Sequence, residues 1–367
     1  MNLTIQSFPL SQATKLLSKF AEEVPVCQMT ATQYALYITT SNPASRLSFN
    51  IPATVTNPGA VFTSIRRLDA FAASATDTID IEQESPATVT VKGKGFSGKL
   101  PLIDSKYYIP PRKLAEGTAQ SVIDPKAFIT AVEMAEPVLR KDAADWTSAF
   151  YIETGKGEGV VVGSDRAQMI CRRFPCEGDE IKFLIPRGLF IQIIRLAEQP
   201  ITLSCDGSTA RFQTDTFLAD FQLVAQVAPP SRSIALQLFR NAAGSAKIPV
   251  QTLTTALDMA EKIGEKDIKF YSYLDISSTG VRLRMNGERV DVLDCQLGGS
   301  GSLDSRFYFD YTRLNTIVRH LRLIGLLTDE IIFRYNTPKE PLFIPISPDE
   351  QDIYCLSSQT PPQVENT

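Results

Sequence analysis

Three times along the chain, a short alternating segment gives way to a cap or proline and then to a run whose apolar residues recur every three or four positions. The first instance is LTIQSFPLSQATKLLSKFAEE from Leu3, the second SVIDPKAFITAVEMAEPVLR from Ser121, the third AKIPVQTLTTALDMAEKI from Ala246. Alternation places successive side chains on opposite faces of a strand, and the three-to-four spacing places them on one face of a helix. Ala13, Leu16, Leu17, Phe20 and Val24 mark the first helical face. Ala127, Phe128, Ala131, Met134, Ala135 and Val138 mark the second, and Val250, Leu253, Ala256, Leu257, Ala260 and Ile263 the third. Asp124-Pro125 is a good helix start, an acidic cap followed by a residue whose missing N–H costs nothing there.

A second helix is predicted in each third: AVFTSIRRLDAFAAS from Ala60, IPRGLFIQIIRLAEQ from Ile185 and FDYTRLNTIVRHLRLI from Phe309. Each is followed by paired alternating segments joined by Gly, Asp, Asn, Ser and Pro, as hairpins are. The pattern therefore predicts an α+β chain of three tandem repeats, each helix, strands, helix, strands. The small and polar stretches at Glu116–Gly117 and Asn241–Ser245 set domain boundaries at 1–117, 118–243 and 244–358. The remaining residues, 359–367, are polar and proline-bearing and read as a flexible tail. Periodicity alone also allows a generic α+β protein whose thirds resemble one another by chance.

Composition narrows the class. Of 367 residues, 43% are apolar and 21% charged, enough for sizeable cores and ordinary for a soluble protein. The formal net charge of -4 removes any global basic bias, so contact with nucleic acid has to come from a local patch. The stretches read as helices carry net positive charge, and the rest of the chain is correspondingly more negative. Six scattered cysteines do not make a disulfide framework. The N-terminus alternates like a strand and is no signal peptide, and no run of about 18 apolar residues is available to span a membrane. These features together predict a reduced, cytoplasmic protein.

Enzyme constellations are thin, and no catalytic residue, cofactor or metal is expected. The single histidine, His320, reads as a helix position. Cys171 and Cys176 have no second pair to complete a zinc site. Gly-Lys-Gly occurs at 93–95 and 155–157 without phosphate-loop spacing and reads as hairpin turns. Asp165-Arg166 hints at a carboxylate site, but no converging partner can be named. Trp146 either stacks on a nucleic-acid base or ribose or buries its ring at a domain edge.

The middle third carries a resemblance. FYIETGKGEGVVVGSDRAQMICRRFP from Phe150 resembles the strand–turn–strand unit of the bacterial DNA polymerase III beta sliding clamps, in which an acidic turn precedes a T-D-x-x-R-type segment. FLIPRGLFIQIIRLAEQPITLSCDGSTARFQTDTFLADFQLV from Phe183 resembles that family's next helix and strand pair. GFSGKLPLIDSKYYIPP from Gly95 looks like the end of its first domain, and QDIYCLSS from Gln351 like its last strand. The chain is identified on this basis as a divergent member.

The resemblance implies a processivity factor without catalysis: a head-to-tail homodimer ring, three domains per chain, helices lining a hole that encloses double-stranded DNA without reading sequence. Pore contacts would come from Lys15, Lys19, Arg66, Arg67, Lys126, Arg140, Arg187, Arg195, Arg313, Arg319 and Arg322. Such cations hold phosphates and release counterions. Ordinary solvated helix faces would carry the same residues. The resemblance also implies a groove in which linear peptides of the polymerase, clamp loader and other partners dock by apolar anchors, typically Gln–Leu–x–Leu–Phe-like. Its lining carries over to Thr147, Ser164, Arg166, Gln168, Met169, Pro229, Ser233, Ile234, Cys355, Ser357 and Ser358. Pro229-Pro230 reads equally as an interdomain turn. This chain departs from the family at Thr147, at Arg166-Ala167-Gln168-Met169 and at Ser357-Ser358, which are more polar or smaller than expected. An alternative function is therefore a non-replicative scaffold of the same fold with an altered groove.

Overall fold

The computed structural model describes residues 1–21, 25–42, 45–110, 113–115, 118–141, 145–224, 232–264, 271–286, 291–327 and 329–359. The first run of elements is β1 (Asn2–Gln6), α1 (Ser7–Phe20), β2 (Val26–Ala31), β3 (Ala35–Ser41), β4 (Ser45–Asn57), β5 (Gly59–Ser64), α2 (Ile65–Ser74), β6 (Thr78–Ser85), β7 (Thr88–Gly93) and β8 (Phe96–Pro101). The second is β9 (Ala119–Ile123), α3 (Pro125–Ala135), β10 (Ala149–Thr154), β11 (Gly157–Ser164), β12 (Gln168–Gly178), β13 (Ile181–Pro186), α4 (Phe190–Ile194), β14 (Ile201–Cys205), β15 (Thr209–Gln213) and β16 (Phe217–Gln222). After α5 (Arg232–Arg240) comes the third: β17 (Gly244–Pro249), α6 (Val250–Ile263), β18 (Tyr271–Ser277), β19 (Gly280–Asn286), β20 (Asp291–Gly298), β21 (Ser300–Gly301), β22 (Ser305–Phe309), α7 (Tyr311–Leu323), β23 (Glu330–Tyr335), β24 (Leu342–Pro345) and β25 (Ile353–Leu356). One order recurs three times: strand, helix, four strands, helix, three strands. Among the α-helices and strands of the described residues, only α5 and the two-residue β21 are additional.

Local chemistry explains the elements. In β1, Leu3 and Ile5 are buried while Thr4 and Gln6 face water. In α1, Leu10, Ala13, Thr14 and Leu17 form the buried face. In α7, Leu314, Ile317, Val318 and Leu321 do so, and the Asp310 carboxylate caps the helix by accepting from the Thr312 N–H at 2.9 Å. Two predicted helices are shorter than their periodicity suggested. The Ala60–Thr63 stretch belongs to β5, where Val61 and Thr63 are buried in alternation, so α2 begins at Ile65. The middle helix shrinks to α4 because β13 runs through Pro186. Bonds from Leu196 to Ile193 and from Ala197 to Ile194 then tighten its end into three-residue turns. Both Gly-Lys-Gly segments are hairpin turns, with Gly95 and Gly157 in the left-handed region at φ 86° and 85°.

The chain divides into two compact units. The first comprises 1–126, 154–157 and 176–225. Within it, one antiparallel series runs β5–β2–β3–β4–β16–β15–β14–β9, and a second runs β4–β1–β6–β7–β8. The 13-residue β4 serves both, pairing β3 and β16 with its first half and β1 with its second. Phe183, Phe190, Phe212 and Phe221 form an interlocking aromatic cluster with centroids 5.1–6.3 Å apart.

The second unit comprises 127–153, 158–175 and 226–367. Its series runs β12–β25–β24–β23–β17, and β20–β19–β18–β22 form a separate sheet. Helices α6 and α7 pack side by side, and the Arg319 guanidinium bonds Asp258 at 2.6 Å and Glu261 at 2.8 Å.

Two strand pairs join one repeat to the next. In the first unit the last strand of the second repeat, β16, pairs β4 of the first, Phe217–Phe221 against Ser45–Phe49. In the second unit the last strand of the third repeat, β25, pairs β12 of the second, Gln168–Cys171 against Ile353–Leu356. Each junction holds a buried aspartate bonded by arginines. Asp220 accepts two bonds from Arg211, at 2.6 and 2.9 Å, with Arg46 of β4 at 4.0 Å. Asp352 accepts from Arg172 at 2.7 Å and from the backbone N–H and Nε of Arg173, both at 2.9 Å. Removing one partner of such a cluster leaves buried charge uncompensated. Asp352→Asn is therefore expected to lower unfolding free energy by about 2–3 kcal/mol in urea titration. That is below the cost for a wholly dry pair, because Arg172 and Arg173 keep 24% and 22% of their side-chain surface in water.

Candidate functional site

The residues assigned to the peptide groove fall within the second unit, around the turn between β11 and β12. Ser164 and Gln168 flank that turn, and the Ser164 hydroxyl donates to the Gln168 carbonyl at 2.8 Å. Arg166 sits at its tip in the left-handed region, at φ 81°, where a glycine is the easy choice. Its guanidinium donates to Asp145 at 3.0 Å and lies 5.8 Å from the Trp146 ring centroid. Thr147 is fully buried in the short turn Trp146–Ser148, and its backbone N–H and hydroxyl both donate to the same Asp145 carboxylate. Those Thr147 bonds, ahead of the charges of Arg166 and Arg140, hold Asp145 below the usual carboxylate range. Trp146 is half-buried.

Asp165 is the hub of this turn. Its carboxylate accepts from the Ala167 and Gln168 N–H groups, each at 3.0 Å, and from the Gln168 amide at 3.3 Å. It also pairs with the Arg313 guanidinium of α7, which in turn bonds Asp310 at 3.1 Å. Gln168 accepts from the buried Tyr354 hydroxyl at 2.8 Å. Sequence reasoning noticed Asp165 but could not name its partner, because Arg313 lies 148 residues away. Arg313 was assigned to the pore, and here its charge is taken up by two aspartates.

Beneath the turn lies an apolar floor. Met169 and Cys355 are register partners across β12 and β25. With Val160, Val162, Cys171, Phe343 and Ile353 they form one buried cluster, and Ala235, Leu236 and Phe239 of α5 cover it. Met169 and Cys355 are each only 7% exposed. Burial pushes the Cys355 thiol up to about 12, so it is an inert packing group at neutral pH. Ser233 is exposed on α5, whereas Pro229 and the Ile234 side chain lie outside the described residues. Ser357 extends the strand edge by donating its N–H to the Ala167 carbonyl at 2.8 Å, and the Ser358 hydroxyl bonds the Pro338 carbonyl. The structure thus brings Thr147, Ser164, Arg166, Gln168, Met169, Cys355 and Ser357 into one neighbourhood. The helix α5 was not foreseen from the sequence, where Pro229-Pro230 drew attention as a turn. Its Ala235, Leu236 and Phe239 do carry helical spacing, and that was the available signal.

The basic residues assigned to the pore are distributed over both units. Lys15 and Lys19 of α1, Arg66 and Arg67 of α2, Lys126 at the start of α3, and Arg195 just after α4 are exposed in the first unit, and Arg187 is half-buried. In the second unit Arg140 and Arg322 are exposed, while Arg313 and Arg319 are held by carboxylates. His320 is half-buried, and burial lowers its pKa. Among the described residues, no group of His, Cys, Asp and Glu is arranged to hold a metal ion, and no helix is long and apolar enough to cross a membrane. None of the six cysteines is in a disulfide.

No protein-family model matches the chain, and neither does any curated protein. Solved structures do. The DNA polymerase III beta subunit of Pseudomonas aeruginosa superimposes with a TM-score of 0.85 at 14% identity, covering 98% of this chain and 100% of that one. This chain has the sliding-clamp fold. The beta subunit of Thermotoga maritima gives 0.81 at 13% identity, and a putative beta subunit of Eubacterium rectale 0.80 at 14%, with the same coverage. Three tandem clamp-type repeats therefore account for the recurring element order.

Within that clamp fold, the Asp165–Arg313 pair ties the β11–β12 turn to α7. Asp165 is 8% exposed and Arg313 30%. Arg313→Ala is expected to cost about 2 kcal/mol of stability by leaving that carboxylate unpaired. Urea unfolding alongside an Arg322→Ala control, expected within about 0.5 kcal/mol of the unmodified chain, separates a structural arginine from a solvated one.

Proposed function

We propose that this chain is a DNA sliding clamp, a non-catalytic ring that encircles duplex DNA in the cytoplasm and tethers a polymerase and other DNA-processing partners. The carrying observation is the full-length likeness to the beta subunits, at TM-scores of 0.80–0.86 across 98% of this chain. The threefold element order supports division into domains at 1–117, 118–243 and 244–358.

The two internal junctions support a head-to-tail homodimer. In both, the last strand of one repeat pairs the third strand of the preceding four-strand set. Continued in the same sense, this rule calls for β8, the last strand of the first repeat, to pair β20 of the third. Among the described residues β8 pairs only β7, and β20 only β19. An open strand edge is a template for pairing with another chain. Joining β8 of one copy to β20 of the next and back again closes two chains into a ring, a heterologous contact that terminates by rotation.

The helices support a pore that is sparing in its grip. Helix α1 carries Lys15 and Lys19 with no acidic residue, and α7 carries three arginines with none, but α6 places Asp258 and Glu261 against Arg319. The available cations are then fewer than the sequence suggested, which suits a protein that must slide. Partner peptides are assigned to the surface around Met169 and Cys355, with the second-unit groove residues named above. The exposed cations provide the test. Reversing Arg66, Arg67, Arg195 and Arg322 to Glu is expected to shorten retention on circular DNA by about tenfold or more while circular dichroism stays unchanged, and wild-type retention should fall as salt rises. Equal retention by the reversed and wild-type proteins contradicts a pore lined by these helices.

A further inference from the structure

The strand register at the junctions can be compared position by position. On the third strand of each four-strand set, Arg46, Met169 and Asp291 hold one position: each lies five residues past Ser41, Ser164 and Asn286, which end the preceding strands β3, β11 and β19. On the last strands, Asp220 opposes Arg46 and Cys355 opposes Met169. The equivalent of Asp220 on β8 is Lys99. Leu218 pairs Gln213 across the β15–β16 hairpin as Ser97 pairs Lys92 across β7–β8, and Asp220 and Lys99 each lie two residues further on. Carrying the register of the first junction to β8 and β20 sets Lys99 opposite Asp291. It sets Ser97 opposite Asp294, since Arg284 pairs Asp294 as Thr39 pairs Ser48.

The same position therefore carries a different chemistry at each joint: an anion against a cation at the first, two apolar groups at the second, and a cation against an anion at the third. We propose that it decides which last strand each third strand accepts, so that β20 takes β8 of a second copy of this chain, in one register, and neither of the other last strands. This rests on the ring assignment made above. Each wrong pairing has a cost. On β4, β8 would set Lys99 against Arg46, and on β20, β16 would set Asp220 against Asp291; like charges directly opposed destabilise a strand pair. On β12, β8 would lay the Lys99 ammonium over Met169, which is 7% exposed, and desolvate it without a partner. In the single chain, Lys99 keeps 66% of its side-chain surface in water, with Glu84 at 3.5 Å, and Asp294 keeps 37%, with Arg282 at 3.0 Å. Lys99 is thus accessible to a second copy, and Asp294 adds a further negative charge diagonal to it.

Two single variants of the full chain, Lys99→Glu and Asp291→Lys, provide the test. Either one alone places like charges at both joints of a two-chain ring. Each is expected to raise the dissociation constant of the dimer by about tenfold or more over the wild type in sedimentation equilibrium. Mixed in equal amounts, the two complement each other: the new glutamate of one chain faces the new lysine of the other, and the second joint keeps its original pair. The mixture is expected to return to within about threefold of the wild-type constant. Variants that dimerise like the wild type, or a mixture no tighter than its components, overturn the proposal while leaving the ring in place. A wild type that stays a single chain overturns the ring assignment, and the proposal with it. If either variant fails to fold by circular dichroism, salt decides alone. The wild-type dissociation constant should rise severalfold between about 0.1 and 1 M potassium chloride as the charges are screened, and a constant indifferent to salt overturns the proposal.

Discussion

The structure depends on one interaction used twice: an antiparallel strand pair that carries a sheet out of one repeat and into the next, anchored by a buried aspartate. At one junction Asp220 gathers Arg211 and Arg46, and at the other Asp352 gathers Arg172 and Arg173. Backbone pairing supplies direction and register, and the charge cluster supplies selectivity. A slip of one residue would turn every side chain to the opposite face and leave a desolvated carboxylate without its donors. The same geometry that orders the repeats along the chain leaves β8 and β20 each with one strand partner among the described residues. In the proposed ring, oligomerisation is a continuation of the fold, with no separate device required.

The surface proposed for partner docking shows a division of labour between polar and apolar groups. The Asp165 hub fixes the β11–β12 turn through backbone donors, Gln168 and Arg313, so that the edge of the floor is rigid. The floor itself is directional only through shape, with Met169, Cys171 and Cys355 as its polarizable members.

The helices and strands with uninterrupted periodicity were legible in the sequence, because each is decided locally. Leu10, Ala13 and Leu17 in α1 and Leu314, Ile317 and Val318 in α7 name their own faces. The threefold order followed from them. Misreadings came where tertiary pairing overrides local pattern. Val61 and Thr63 alternate into β5 although they adjoin a helical run, and Pro186 ends a strand where it seemed to open a helix. At the candidate site, the Ser164–Met169 segment was found through its resemblance to known clamps. Its partners were not, because Arg313 and Tyr354 reach it across more than 140 residues of chain. Helix α5 escaped notice since a nine-residue segment after two prolines carries a weak signal until the surface it covers is known.

In the proposed ring, strands β8 and β20 complete, between chains, the junction already made twice within one. Light scattering of the native protein across the micromolar range tests it most directly. A closed two-chain ring predicts a particle of about 81 kDa, twice the 40.5 kDa of one chain. Val292→Pro or Leu293→Pro in β20 should then return it to the single-chain mass, since one of two neighbouring residues points its N–H out of the sheet. A wild-type particle of 40.5 kDa at every concentration, with and without circular DNA, would contradict the account.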